Sequence, residues 1–226
     1  METTIESAVE GGTALFPSQV TLKEPHALYY PLKRVIDLFG AIIALFPLII
    51  VLIIAGTLIF LEDGGPVIYR GWYVGQDGRW FRIWKIRTMR RDSETYFKDH
   101  PTLYELYMRD MKLKDDPRVL KIGRFLRRTS LDELPQAINV LRGDMSWVGP
   151  RPMLPAEPDR YGAFLPLRVT MRPGVTGLWQ ISGRSNMPYP LRAVYDRTYY
   201  YQRSLRMDIA ILFATIPSVL RRDGAV

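Results

Sequence analysis

Cysteine is absent from this chain of 226 residues. Disulfides, thiolate metal sites and cysteine nucleophiles are therefore excluded. Histidine is nearly absent as well: His26 and His100 are the only two, far apart and without a motif around either. A histidine-based metal site or a Ser-His-Asp triad has little to build on. Acids are in deficit, with 23 Asp and Glu against 31 Lys and Arg, a formal net charge of +8. Such a balance favours anionic partners: nucleic acid, lipid headgroups or phosphorylated small molecules. No nucleic-acid reader motif is present, so that class is set aside. No internal repeat is visible, and only one long apolar run occurs. Residues 1–31 read as a flexible polar tail; no basic segment there leads into an apolar stretch, as a secretory signal would require.

The apolar run itself is informative. From Leu38 to Leu61 there is no charged residue, more than the about 20 positions that cross a bilayer core. Insertion of its Leu, Ile, Val and Phe side chains is worth up to about 5–10 kcal/mol. Residues 32–61 are expected to form a membrane-inserted helix. Pro47 sits near its middle and removes one backbone hydrogen bond there. Lys33 and Arg34 precede it, and Arg70, Arg79, Arg82, Lys85 and Arg87 follow. Cationic flanks prefer the cytoplasmic side. A helix broken at Pro47 that enters and leaves on one face satisfies both flanks; a kinked single span satisfies only the downstream one. Charge counting does not choose between them.

Downstream, 62–226 reads as one further domain. "VIYRGWYVGQDGRWFRIWKIRTM" has two runs rich in β-branched and aromatic residues around GQDG, and predicts a β-hairpin suited to a membrane-water interface. Residues 92–113 are predicted helical with an interruption at Pro101. "VLKIGRFLRR" predicts an amphipathic helix with Val119, Ile122, Phe125 and Leu126 on one face. Helices are expected at 131–141, 189–202 and 205–221, the last able to lie on a membrane surface. "GDMSWVGPRPMLPAEP" and "RPGVTGLWQISGR" read as Gly/Pro-rich loops. The fold class is α+β, mainly α, with interfacial amphipathic helices and a small hairpin.

One stretch carries the chemistry: "RRTSLDELPQAINVLRGDMSWVGPRP", Arg127 to Pro152. Asp132 and Glu133 stand adjacent in a basic setting. The bland reading is a capping box, Ser130 as N-cap and Glu133 three residues on, although Pro135 favours a later helix start. The chemical reading is a carboxylate that attacks a phosphate. Such a group must be ionised, and its target's charge must be masked by a cation. Glu133 suits Mg2+, a hard cation that takes carboxylate oxygens. Arg127 and Arg128 lie just upstream. Arg151 is held between Pro150 and Pro152, a stiff mount for a guanidinium that grips phosphate.

These stretches, with "KRVIDL", "KIRTM", "DDPRV", "RPGVTGLWQISGR" and "YDRTYY", make the chain resemble the bacterial sugar transferases, the monotopic polyprenyl-phosphate phosphoglycosyl transferases. The resemblance covers roughly residues 32–222, and is nearest to the short exopolysaccharide-initiating galactose- or glucose-1-phosphate transferases. It implies a re-entrant helix, a site on the cytoplasmic face of the bacterial inner membrane, and Asp132 as nucleophile toward a UDP-sugar, UDP-galactose or UDP-glucose. UMP would leave, and undecaprenyl phosphate would take the sugar phosphate from the aspartyl intermediate. Glu133 would hold Mg2+. Arg127 and Arg151 match phosphate-engaging positions; Lys85, Arg87, Arg118 and Asp196 match further motif positions expected to bind substrate. An anionic bilayer is the expected surface, and a homodimer is compatible. Two positions depart from the family pattern: Gly71 and Tyr73 stand where Gln and Arg are usual. The bland alternatives are that Lys85 and Arg87 face lipid phosphates, that Asp196 is a cap or surface acid, and that Trp147 and Trp179 serve packing. The competing function is a non-catalytic membrane anchor or scaffold for polysaccharide assembly, which has no need of adjacent acids among cations.

Overall fold

A computed structural model describes residues 25–93, 95–110, 113, 115–183 and 187–221. The expected tail falls largely outside these residues.

Helix α1 runs from Tyr29 to Asp63. At 1.5 Å per residue it is about 50 Å long. It is the one described helix long and apolar enough to cross a membrane. The expected break at Pro47 does not occur: the proline lies inside one uninterrupted helix. Pro47 removes a single N–H, and the apolar turns on either side keep their own bonds. One face is buried along the whole length, through Asp37, Ala41, Leu48, Ala55 and Ile59. The rest is bare hydrocarbon, with Phe46 74% and Leu61 75% exposed. Such exposure is costly in water and natural in lipid.

Both ends of α1 are fastened to the remainder of the chain. Near its start, Arg34 donates to the carbonyls of Val140 (2.6 Å) and Leu141 (2.9 Å). The buried Asp37 accepts from Ser146 Oγ and the Trp147 N–H. Tyr29 and Lys33 both reach Asp208. Near its end, Asp63 pairs with Arg87. Glu62 accepts from the backbone N–H groups of Lys121 (2.7 Å) and Ile122 (3.2 Å).

The hairpin forms as expected. Strand β1 (Ile68–Val74) pairs antiparallel with β2 (Trp80–Ile86), Tyr73 opposite Phe81 and Tyr69 opposite Lys85. Asp77 turns the chain with φ +56°. Helix α2 (Pro101–Asp110) starts on its proline, which is tolerated at a first helical position. Helix α3 (Lys121–Thr129) has no side-chain cap of its own; Glu62 fills that role from α1. Leu126 faces the core, but Phe125 is 47% exposed and Val119 lies before the helix, bridged to Met89. Phe125 is one residue from Leu126, about 100° around the helix, and so faces outward.

Helix α4 (Gln136–Arg142) begins later than the sequence suggests. After it, β3 (Ser146–Val148) pairs in parallel with β4 (Gly174–Thr176), where two loops were expected. Strands of three residues leave no periodicity to read. Two short helices, α5 (Leu165–Val169) and α6 (Leu178–Ser182), flank β4. Helices α7 (Tyr189–Gln202) and α8 (Leu205–Arg221) close the chain at the expected positions. Apolar clusters join these pieces. One holds Ala41 of α1 against Tyr73, Ile83, Ala137 and Val140. Another holds Ala55 and Ile59 against Ile86, Leu120 and Leu126.

Candidate active site

The acid pair sits in a hinge between two helices. Helix α3 ends at Ser130, which adopts the left-handed conformation at φ +56° and makes no side-chain cap. A single tight turn, Leu131–Glu133, follows. Pro135 then stands immediately before α4, with no side-chain cap. The capping-box reading is therefore incorrect: Ser130 ends one helix and does not begin the next. A proline cannot supply the interior N–H that a helix from Leu131 would need. The turn places Asp132 inward, 8% exposed.

Four elements converge there. Strand β2 brings Lys85, whose ammonium meets Glu133 at 2.8 Å. It is held in place by Asn139 of α4, fully buried, which accepts from the Trp84 N–H (2.9 Å) and donates to the Arg82 carbonyl (2.8 Å). Asn139 thus serves the free edge of β2 as a neighbouring strand would. Helix α3 brings Arg127, donating to Thr88 Oγ1 at 2.9 Å. The loop after β3 brings Arg151. This loop is welded to the β4 loop: Gly174 N–H donates to the Pro150 carbonyl (2.8 Å) and Gly149 N–H to the Thr176 carbonyl (3.0 Å). The backbones touch so closely that a Cβ on Gly174 would lie 2.1 Å from the Gly149 nitrogen. Behind Arg151, Arg168 donates to its carbonyl and pairs with Asp196 at 3.0 Å.

The resulting cleft, about 210 Å³ with its open mouth, is lined by Tyr73, Lys85, Glu133, Gln136, Arg151 and Gln180, among others. Pro152 also lines it, while Pro150 is buried behind. Tyr73, at the departing position, is one of its walls. Gly71 leaves space that the Tyr69 ring fills; a Cβ there would lie 2.1 Å from the Tyr69 hydroxyl.

The electrostatics divide the two acids. Burial, and next the charge of Glu133, push the Asp132 carboxyl up to about 6, against Lys85 and Arg127. Burial also works to raise Glu133, but Lys85, Arg151 and hydrogen bonds from Lys85 and Gln136 outweigh it and hold it below its ordinary value. Lys85 is pushed up: desolvation works to lower its ammonium, but the charges of Glu133, Tyr73 and Asp132 together outweigh it. The pair titrates as a unit, with both members largely ionised at neutral pH. A buried, ionised oxygen among cations can act as a nucleophile toward an electrophilic phosphorus.

Asp132, Glu133, Lys85, Arg127, Arg151 and Pro152 thus come together. Three residues expected to bind substrate do not. Arg87 is buried and spent on Asp63 and the carbonyls of Pro66, Gly64 and Met89, fixing the end of α1 to the hairpin. Arg118 is buried against Asp116 and lies over the Phe97 ring at 3.9 Å. Asp196 is neither a cap nor a surface acid; it anchors Arg168. Trp179 is core, 2% exposed, and Trp147 donates to the Asp37 carbonyl. Sequence reasoning missed Asn139, whose bonds cross more than fifty positions, and Gln180, which lay in a segment read only as a loop.

Among the described residues, no three His, Cys, Asp or Glu side chains cluster to hold a metal. Mg2+ is commonly bound by one or two carboxylates plus phosphates and water, and Glu133, its side chain 29% exposed toward the cleft, fits that mode.

Comparison with known proteins bears on this site. The family model for bacterial sugar transferases matches residues 28–222. A UDP-galactose-lipid carrier transferase of Erwinia amylovora is 47% identical over 201 residues, 86% of this chain and 41% of that protein. An exopolysaccharide production protein ExoY of Sinorhizobium fredii is 41% identical over 85% of this chain and 87% of its own length. A UDP-glucose:undecaprenyl-phosphate glucose-1-phosphate transferase of Caulobacter vibrioides is 38% identical, over 85% of this chain and 71% of its own. The chain therefore spans about two fifths of some relatives and most of others.

Proposed function

This chain belongs to the bacterial sugar transferase family, and on that premise we propose that it transfers a sugar-1-phosphate from a UDP-sugar to undecaprenyl phosphate, the first membrane step of polysaccharide assembly. Relatives named for UDP-galactose and for UDP-glucose support either hexose as cargo. The observation that carries the reading is the buried Asp132, set among the charges of Glu133, Lys85 and Arg127, directly behind a cleft whose wall holds Glu133, Lys85 and Arg151.

The reaction balances in two steps. An Asp132 oxygen attacks the β-phosphorus, and the bond from that phosphorus to the UMP oxygen breaks. Lys85, Arg127 and Arg151 hold the phosphate oxygens and offset the charge that develops on them. UMP leaves. An oxygen of polyprenyl phosphate then attacks the same phosphorus, and the bond to Asp132 breaks, restoring the carboxylate. Glu133 would hold Mg2+, which when bound supplies additional masking of phosphate charge.

The lipid acceptor implies a site at the bilayer surface. Support comes from α1: its two ends are fastened to the same body that carries the cleft, through Arg34 and Asp37 at one end and Glu62 and Asp63 at the other. An unbroken helix held at both ends by one body would lie along the cytoplasmic leaflet, with both flanks on the cytoplasmic side of the inner membrane. Rapid quenching with UDP-sugar alone, followed by mass spectrometry, tests the chemistry. A sugar phosphate on Asp132 is expected; product without any such adduct would overturn the covalent route. Absence of Asp132-dependent UMP release would favour a scaffold instead.

A further inference from the structure

One residue of the cleft wall carries a buried polar atom that has no partner among the described residues. The Oε1 of Gln180 is buried and accepts no hydrogen bond among the described residues, although Gln180 lines the cleft with Lys85, Glu133 and Arg151. Buried acceptors are almost always satisfied, and an orphan asks for an explanation. The orientation of the amide is not arbitrary. Its nitrogen donates to the Val175 carbonyl at 3.0 Å. A carbonyl can only accept, so the NH2 must face Val175 and the oxygen must be the free end.

The mount is stiff. Gln180 lies on α6, directly after β4, and β4 is welded through Gly149 and Gly174 to the loop that carries Arg151. The acceptor and the phosphate-gripping guanidinium are thus fixed relative to each other. Their chemistries are opposite. Phosphate oxygens are drawn to Lys85, Arg127 and Arg151 and are repelled by a carbonyl oxygen. What lies against Gln180 must carry a donor.

We infer that Gln180 presents a fixed hydrogen-bond acceptor that reads an O–H or N–H donor on the nucleotide sugar, and so helps set which donor substrate the cleft takes. The inference rests on the transferase reading above. Two parts of a UDP-sugar carry such donors: the hydroxyls of the hexose, and the uridine with its ribose hydroxyls and imide N–H. A site that places a buried acceptor for a donor discriminates against analogues lacking it, because the acceptor is then left unpaired.

The test is a cycle between protein and substrate. Wild type and Gln180→Met, which keeps length and loses the acceptor, are assayed in lipid nanodiscs with undecaprenyl phosphate. The substrates are UDP-hexoses each lacking one hydroxyl. UMP, 2′-deoxy-UMP and 3-methyl-UMP serve as inhibitors. In wild type, loss of one particular donor is expected to weaken kcat/KM or inhibition by about 3- to 10-fold, the scale of a neutral hydrogen bond. In Gln180→Met the same loss should cost less than about 2-fold. Coupling to a sugar hydroxyl places the hexose against Gln180; coupling to a UMP analogue places the uridine there. A role in loop packing alone would slow every substrate equally and leave discrimination unchanged, which would overturn the inference. So would a shift confined to the Mg2+ requirement, which would make the carbonyl a metal ligand. If Gln180→Met does not fold, the wild-type panel still decides: indifference to every removed donor sinks the idea. A wild type that neither binds nor turns over any UDP-sugar would instead remove the transferase reading itself.

Discussion

Replacing Asp132 by Asn should abolish turnover and at the same time stabilise the protein. The magnitude follows from the site. Burial and the neighbouring Glu133 move the Asp132 carboxyl from 3.8 to about 6. At 1.36 kcal/mol per unit, the ionised form costs the fold about 3 kcal/mol at neutral pH. The sign is fixed by linkage. Between about pH 4 and 6 the folded state binds more protons here than the unfolded state, so stability contributed by this group falls as pH rises, and above that window the whole cost is present. Asn carries no charge and escapes it. For a chain of this size each kcal/mol shifts Tm by about 2–4 °C, so the variant should melt up to about 10 °C higher at pH 7.5. The gain should fade to nothing near pH 4, where wild-type Asp132 is itself protonated. Thermal unfolding in nanodiscs, with metal chelated and Trp fluorescence as probe, reads both values. A variant that melts at or below wild type at pH 7.5, or whose gain persists unchanged at pH 4, would refute the claim that this carboxylate is held charged against its surroundings. A purely structural Asp132 would lose stability on substitution.

Three further outcomes are expected. The acid limb of kcat/KM should fall as pH drops through about 6, as Asp132 protonates, and Glu133→Gln should move that limb to lower pH by removing a neighbouring negative charge; an unmoved limb in a pH-rate profile would separate the two acids. Asp196→Ala should cost about 3–5 kcal/mol of stability in denaturant titration by leaving Arg168 buried without its carboxylate, and should raise KM for the UDP-sugar through loss of support for Arg151; a surface-like loss below 0.5 kcal/mol, on the order expected for an exposed site, would contradict its burial. Single cysteines placed at His26 and Asp77, exposed positions on opposite sides of α1 in the chain, should both resist a membrane-impermeant thiol reagent added to intact cells; labelling of one alone would mean that α1 spans.

Much of this arrangement was legible beforehand. The apolar helix, the hairpin around GQDG and the last two helices announce themselves by length, turn chemistry or periodicity, which are local properties. The acid pair was legible because two carboxylates in a basic setting are chemically out of place. Other features were not. The start of α4 is ambiguous in sequence because SLDE matches a capping box while Pro135 favours a later start, and the left-handed Ser130 shows that one helix ends there. The parallel pairing of β3 with β4 joins segments too short to leave a pattern. Gln180 and Asn139 act through bonds to Val175 and to the edge of β2, and the Asn139 bonds cross more than fifty positions.

The division among the arginines is the deepest case. In sequence, Arg87, Arg118, Arg127 and Arg151 share one chemistry: each sits in a motif, and each is a guanidinium able to grip phosphate. Folding separates them by partner. Arg87 has Asp63, Arg118 has Asp116, and Arg168 has Asp196. Among the described residues, Arg127 and Arg151 make no ion pair with a carboxylate, and Lys85 shares its only one with Glu133. A buried cation without a partner is costly, so a fold that places a carboxylate beside Arg87, Arg118 and Arg168 has no general reason to leave Arg127 and Arg151 without one. The two exceptions stand at the same acid pair, Arg127 by Asp132 and Arg151 by Glu133. The diphosphate of the proposed substrate would supply their missing counter-charge, whereas a scaffold that only met lipid headgroups would carry its free cations on the surface. The net charge of +8 thus matters less than where the acids are withheld.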